Sequence, residues 1–422
     1  MDCFQINGGK RLRGSVSING SKNAALPLMA ASILTEGETV FRGAPDLADT
    51  RHLSFLLERL GLAVTHEEKG DIRLKVEDEM NCHAEYDLVR KMRASICVMG
   101  PLLAKRGRAQ VSLPGGCNIG DRPVGLHLQG LAALGADVEL VGGDIHLKCK
   151  KLKGCEIFLG GPFGSTVLGT ANVLMAATLA EGTTVIESAA CEPEVADLAN
   201  YLNACGARIT GHGTPRITIE GVGELHGCEY TIVPDRIEAG TFMIAAAITN
   251  GDVKIVNCRL DHLLALVDRL RAVGVNVERT GEGGVQVSSS RRLEPISLTT
   301  QPYPGFPTDL QAQTMALLCL ADGNSIITEK IFPDRFLHVA ELNRMGARLR
   351  KEGPTVIVEG VKQLVGAPVM ASDLRASAAL VLAGLVAKGR TTVSRVYPID
   401  RGYERIEQRL SAIGADIKRV PE

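Results

Sequence analysis

Tryptophan is absent, and aromatic residues make up only 4% of the 422-residue chain. Binding of single-stranded nucleic acid leans on aromatic stacking platforms, so that class of function is not expected. Excess charge is missing too: 47 Lys and Arg against 48 Asp and Glu leave a net charge of -1. A broad polyanion-binding face is disfavoured, and any anion site must be local. No charge-free apolar run approaches the ~20 residues that span a bilayer. The opening M-D-C-F-Q-I-N-G-G-K-R carries no apolar export segment. The eleven Cys form no C-x-x-C pair and no Cys/His cluster with zinc spacing. They read as reduced thiols of a cytoplasmic protein, most of them small buried hydrophobes. Neither G-x-x-x-x-G-K-S/T nor G-x-G-x-x-G occurs, so the usual phosphate loops find no support.

What is present is repetition. A helix ending at a small residue and Gly, then a strand, recurs at Gly61, Gly135, Gly206, Gly274, Gly346 and Gly414. A second helix-to-strand series runs through Gly37, Gly107, Gly182, Gly251, Gly323 and Gly389. Both have a period near 70 residues, which points to six copies of one unit. Each copy reads strand, first helix, strand, second helix, then one or two strands.

The two helix types differ. First helices are expected at Ala24–Leu34, Ser95–Leu103, Val167–Leu179, Ala239–Thr249, Leu310–Ala321 and Ala376–Ala387, almost free of charge. A helix apolar on every side must be buried on every side. Second helices, such as D-H-L-L-A-L-V-D-R-L-R-A-V, are amphipathic and should lie half exposed on sheets. The expected fold is therefore α/β, with clusters of buried first helices inside and sheets and amphipathic helices outside. Core size favours two bodies of three copies each. Cys3–Ile18 supplies strand material that should complete the last body. One domain would span 22–233 and the other 1–21 plus 234–422, with the active site in the cleft between them.

The residues opening the first helices are Lys22, Arg93, Thr166, Arg236, Asp309 and Arg375, four of six cationic. The helix dipole makes this a poor place for a cation, by ~0.3–1 kcal/mol each. A local rule broken so often suggests function. If these helix starts face one cleft, their N–H groups and cations form an anion site. Neutralisation of each cation by a neighbouring acid is the competing reading. Three Asp-Arg pairs, Asp121-Arg122, Asp334-Arg335 and Asp400-Arg401, open second helices. Asp is a natural N-cap, and Arg forks suit carboxylate and phosphate. In S-L-P-G-G-C-N-I-G-D-R, Cys117 lies on a Gly-rich loop near Arg122. Neighbouring cations would lower its pKa and suit it to act as nucleophile or proton donor.

The six-copy order, S-K-N-A-A-L-P, L-P-G-G-C-N-I-G-D-R-P-V, P-D-R-I-E-A-G-T-F, F-P-T-D-L-Q-A-Q, D-L-R-A-S-A-A-L-V-L-A-G and I-D-R-G-Y-E-R-I-E resemble the UDP-N-acetylglucosamine enolpyruvyl transferases over the whole chain. The resemblance implies an inside-out α/β barrel fold in two domains of three units each. It implies transfer of enolpyruvyl from phosphoenolpyruvate to the 3-hydroxyl of UDP-N-acetylglucosamine with release of phosphate, the first committed step of peptidoglycan synthesis. These two small molecules would be the partners, with no cofactor or metal. Cys117 would be the proton donor and could hold a phosphoenolpyruvate adduct. Asp309 would accept the hydroxyl proton. Lys22, Arg122, Arg375 and Arg401 would clamp phosphate and carboxylate. Asn23, Arg93, Arg122, Pro123, Val124 and Leu126 would meet the sugar nucleotide, Thr166 and Val167 its diphosphate, and Ile331 the sugar through its backbone.

Three positions depart from the family pattern. Gly125 stands where Asp is usual, Thr166-Val167-Leu168 replaces Ser-Val-Gly, and Pro398 replaces a frequent His. The first puts one uracil contact in doubt, the second could shift the diphosphate, and the third should stiffen the loop before Arg401. The rival readings are a 3-phosphoshikimate enolpyruvyl transferase and a non-catalytic sugar-nucleotide sensor.

Overall fold

A computed structural model describes residues 2–67, 70–114, 123–281, 283–290 and 292–422. The first helices are α1 (Lys22–Ala31), α2 (Met99–Arg106), α3 (Val167–Ala177), α4 (Arg236–Ile248), α5 (Gln311–Leu318) and α6 (Leu374–Val386). Short 3-10 turns, Arg93–Val98 and Thr308–Leu310, lead into α2 and α5. All of α4 is buried, as is most of α6. Their runs of Ala, Leu, Ile and Val leave no face that water could solvate cheaply. The second helices are Ala48–Arg59, Gly125–Ala133, Pro193–Ala204, Leu264–Val273, His338–Arg344 and Ile406–Ala412. Leu264–Val273 is one-sided, burying Leu266, Val267, Leu270 and Val273, whereas Pro193–Ala204 is buried at eight of its 12 positions.

The described residues up to Asn19 join Pro234–Glu422 in one unit, and those from Gly20 to Val233 form the other. The first crossing thus falls two residues earlier than the sequence reading placed it. The reason is local, because the Gly20 N–H donates to the Gly43 carbonyl and the Ser21 N–H to that of Val233. In the first unit α4, α5 and α6 touch one another. In the second, α2 packs on α3, and both α1 and α3 pack on the turn Arg93–Val98. Each unit has its own apolar core built around its three inner helices.

Every copy carries a four-stranded sheet of one design. The strand after the first helix pairs parallel with a short strand and antiparallel with a hairpin, as in Ser297–Thr299, Asn324–Thr328, Thr355–Glu359 and Arg348–Glu352. Three sheets are completed by distant chain. Asp2–Asn7 fills the last sheet, between Arg390–Ser394 and Asp416–Pro421. Arg13–Ser17, next before α1 in sequence, pairs with Asp252–Val256, which follows α4. Glu229–Thr231, which precedes α4, pairs with Glu38–Arg42, which follows α1. The N-terminal segment is therefore divided: its first half serves the sixth copy and its second half the fourth.

The helix-stop glycines share one backbone state, with φ between 86° and 106° at Gly61, Gly135, Gly206, Gly274, Gly346 and Gly414. L-residues resist that region, which stops each helix and turns the chain into a strand. In the second series Gly251 differs. Asn250 takes the positive φ, 49°, and a Cβ on Gly251 would sit 2.5 Å from the Leu12 carbonyl oxygen. Close approach, not handedness, requires glycine there. Ten cysteines fall in the described residues; all are free, and six of them are buried.

Candidate active site

The cations that open the first helices are not left bare. Lys22, first residue of α1, places Nζ 3.2 Å from the Asp49 carboxylate on the neighbouring second helix. Arg236 lies over the Tyr303 ring, 5.5 Å from its centre. The helix starts are capped as well. Ser21, Thr166, Asp235 and Asp373 each accept a backbone N–H of their own helix. At α1, α3, α4 and α6 side-chain oxygens thus already serve one or two of the helix-start N–H groups. Neither Asp334 nor Asp400 is the helix cap expected of it: Leu337 and Arg405 occupy the N-cap positions, while Asp334 faces Lys351 and Asp400 pairs with Arg419; Asp121 lies outside the described residues.

A charge cluster in the first unit surrounds Asp309. Its Oδ1 accepts from Arg335 Nη1 at 2.8 Å and its Oδ2 from Arg375 Nη2 at 3.0 Å. Arg375 is only 2% exposed, yet its Nε and Nη1 have no hydrogen-bond partner among the described residues. Burial works against its charge, but Asp309 and Tyr403 outweigh burial and raise its pKa above the ordinary value. The Arg375 guanidinium lies 5.3 Å from the centre of the Tyr403 ring. Burial lifts the Tyr403 phenol above its usual range, with Arg375 opposing. The Tyr403 hydroxyl meets Thr241 at 2.8 Å and accepts from Gln313 at 3.2 Å, and Gln313 also donates to the Asp309 backbone carbonyl at 2.9 Å. A fully buried network thus holds Asp309 and Arg375 from behind.

His338 lies behind the same cluster. It is 1% exposed, and neither ring nitrogen has a partner among the described residues. Burial pushes its pKa down to about 4, with Asp373 opposing and Arg335 reinforcing. Ile331 sits on a turn where its N–H donates to Glu329 Oε1 at 2.8 Å. Arg401 ends the short turn Ile399–Arg401, and Pro398 takes the N-cap position of that turn.

The second unit carries the other candidates. Asn23 follows Lys22 and is half-buried. Arg93 opens the 3-10 turn rather than the helix proper. Thr166 caps α3 by accepting the Gly169 N–H at 3.3 Å, and Val167 beside it is exposed. Pro123 is exposed and Val124 precedes the helix Gly125–Ala133, which includes Leu126. A Cβ on Gly125 would meet nothing within 4 Å, so packing does not demand glycine there. Cys117 and Arg122 lie outside the described residues.

The sequence marks Arg335 only as half of a pair, and it does not mark Asp49, Glu329 or Tyr403, which the fold brings against Lys22, Thr308 and Arg375. The I-D-R-G-Y run was a signal for Tyr403. Asp49 and Glu329 carry none, since their partners are assigned by packing.

The EPSP synthase (3-phosphoshikimate 1-carboxyvinyltransferase) family profile matches residues 6–410. The UDP-N-acetylglucosamine 1-carboxyvinyltransferase of Methylacidiphilum infernorum is 53% identical over 420 residues, covering 100% of this chain and 99% of the relative. The protein of the same name from Geobacter metallireducens is 54% identical, covering 100% of both chains. Among solved structures, the enolpyruvyl transferase NikO from Streptomyces tendae matches with a TM-score of 0.90 at 25% identity, covering 100% of this chain and 99% of its own. EPSP synthase from Acinetobacter baumannii matches with a TM-score of 0.78 at 19% identity over 100% of both chains, a likeness of fold. Fold and relatives together define a transferase with the enolpyruvyl transferase fold. The chain belongs to the EPSP synthase family of carboxyvinyltransferases.

Proposed function

We propose that the protein transfers the enolpyruvyl group of phosphoenolpyruvate to the 3-hydroxyl of UDP-N-acetylglucosamine, releasing phosphate. The observation that carries this reading is the Asp309 cluster. A carboxylate that can take a hydroxyl proton is bound to Arg375, a buried guanidinium with two donors unpaired among the described residues. Such donors suit an anionic oxygen, and phosphoenolpyruvate brings a phosphate and a carboxylate. The choice of acceptor is supported by relatives 53% and 54% identical that bear the UDP-N-acetylglucosamine name. EPSP synthase shares only 19% identity.

In the proposed reaction the sugar oxygen bonds to C2 of phosphoenolpyruvate while its proton passes to Asp309. Cys117 delivers a proton to C3. The C2–O bond to phosphate then breaks, C3 loses a proton, and the double bond reforms in the product. Lys22, Arg122, Arg375 and Arg401 hold the anionic groups through both steps, where fixed positive charge matters most. Asn23, Arg93, Pro123, Val124, Leu126, Thr166, Val167 and Ile331 receive the sugar nucleotide. The setting is the cytoplasmic first committed step of peptidoglycan synthesis. A phosphate-release assay tests this: phosphoenolpyruvate with UDP-N-acetylglucosamine should turn over, and Cys117→Ala and Asp309→Asn should not. Turnover with shikimate 3-phosphate instead, or tight sugar-nucleotide binding without phosphate release, would refute it.

A further inference from the structure

Glu329 is fully buried, and among the described residues no Lys or Arg forms an ion pair with it. A buried acid without a cation needs several hydrogen-bond donors, or burial is strongly unfavourable. Glu329 has four. Its Oε1 accepts from Thr300 Oγ1 at 2.6 Å, the Ile331 N–H at 2.8 Å and the Phe332 N–H at 3.0 Å. Its Oε2 accepts from Thr308 Oγ1 at 2.9 Å. Thr308 is the residue before Asp309, and its hydroxyl in turn accepts from Arg335 Nη1 at 3.1 Å. The same Arg335 nitrogen donates to Asp309 Oδ1. A short chain of bonds therefore runs from Glu329 through Thr308 and Arg335 to Asp309. The other Glu329 oxygen pins the turn bearing Ile331, with the Ile331 N–H engaged inward.

We propose that Glu329 is a positioning residue for the transfer step, fixing the place of Asp309 through Thr308 and Arg335 and shaping the Ile331 turn through two peptide N–H groups. An apolar side chain of the same size would fill the space without desolvating an acid, but it could not join these three segments. The inference rests on the reading above, in which Asp309 takes the hydroxyl proton. Glu329→Gln keeps the size and one acceptor oxygen, so the Ile331 turn should persist, while its NH2 reverses the bond to Thr308. Thr308→Val removes the hydroxyl at constant shape, and Thr308→Ser keeps it.

The test is steady-state phosphate release with each substrate varied, alongside thermal melting of every variant. Glu329→Gln and Thr308→Val should each lower kcat roughly tenfold or more, because the base is displaced rather than removed. KM values should move less than about threefold, and Thr308→Ser should restore kcat to within about twofold, since both substrates keep their contacts. The double variant should be no slower than the worse single one, because both act along one chain of bonds. Single variants with wild-type kcat, losses that multiply in the double variant, or losses that follow only the folded fraction would each overturn the proposal. Should the wild type use shikimate 3-phosphate alone, the substrate assignment fails, and the same comparison with that acceptor judges Glu329. Turnover of neither acceptor overturns both.

Discussion

Arg375→Met should abolish most activity while leaving the fold nearly as stable. The wild-type guanidinium is fully buried, and apart from Asp309 and Tyr403 its Nε and Nη1 find no acceptor among the described residues. Each such donor costs about 1–3 kcal/mol, and Met removes both at similar length. Against this, the variant loses one charge-assisted bond to Asp309, about 1.5–3 kcal/mol, and a stacked cation at Tyr403, about 2 kcal/mol. Asp309 keeps Arg335 at 2.8 Å, so it is not stranded. The two sides balance to within about 2 kcal/mol, a shift of roughly 4–8 °C in Tm at most for units of this size. Catalysis has no such compensation. A cation ~4 Å from an anionic substrate oxygen contributes ~4 kcal/mol at an effective dielectric near 20, which corresponds to ~10²–10³ in kcat/KM. Phosphate release and thermal melting measure the two effects separately. Inorganic phosphate should raise the melting temperature of the wild type more than that of the variant. A fall in Tm beyond about 10 °C, or kcat/KM within about tenfold of wild type, would refute the reasoning that the unpaired donors serve substrate.

Three further outcomes follow from particular residues. The His338 pKa is depressed in the fold from 6.5 to about 4, so folding favours the neutral ring. Its contribution is complete above pH 6.5 and is lost as the pH falls toward 4, by about 1.4 kcal/mol per unit; His338→Leu should flatten denaturant midpoints across that window. Gly61→Ala should be far worse than Gly206→Ala, because its Cβ would lie 2.0 Å from the Asp78 carbonyl oxygen while that of Gly206 meets nothing within 4 Å. About 1 kcal/mol is expected for Gly206 and several for Gly61, and comparable melting temperatures would contradict this. Gly125→Asp places an acid in the first turn of its helix with open space around the new Cβ. It should leave Tm unchanged or slightly higher and lower the KM for UDP-N-acetylglucosamine; a higher KM would count against the uracil contact.

Much of this architecture was written in punctuation and hydropathy. Glycines that need a left-handed backbone marked the helix stops, and charge-free stretches marked the buried helices, to within a few residues at Arg236–Ile248. The 3-10 starts at Arg93 and Thr308 were not visible, because one turn of tighter helix leaves no periodicity. The exchange of Arg13–Ser17 and Glu229–Thr231 between the first and fourth copies was hidden for another reason. A short strand reveals its own pattern but not its partner. The same limit separates the residues of the Asp309 cluster. Asp309 and Arg375 stood out by their place in the repeat. Glu329 did not, because its meaning lies in Thr308, Ile331 and Phe332 folding around it.

The placement of Asp2–Asn7 has a consequence for biosynthesis. That strand is made some four hundred residues before its neighbours on both sides, Arg390–Ser394 and Asp416–Pro421. The body from Gly20 to Val233 has all its strands once Thr231 is translated and can fold while synthesis continues. The leading strand must wait throughout with its edges bare, a long-range closure of the slow kind. Dependence on holding chaperones should therefore centre on this strand, the last to find its sheet.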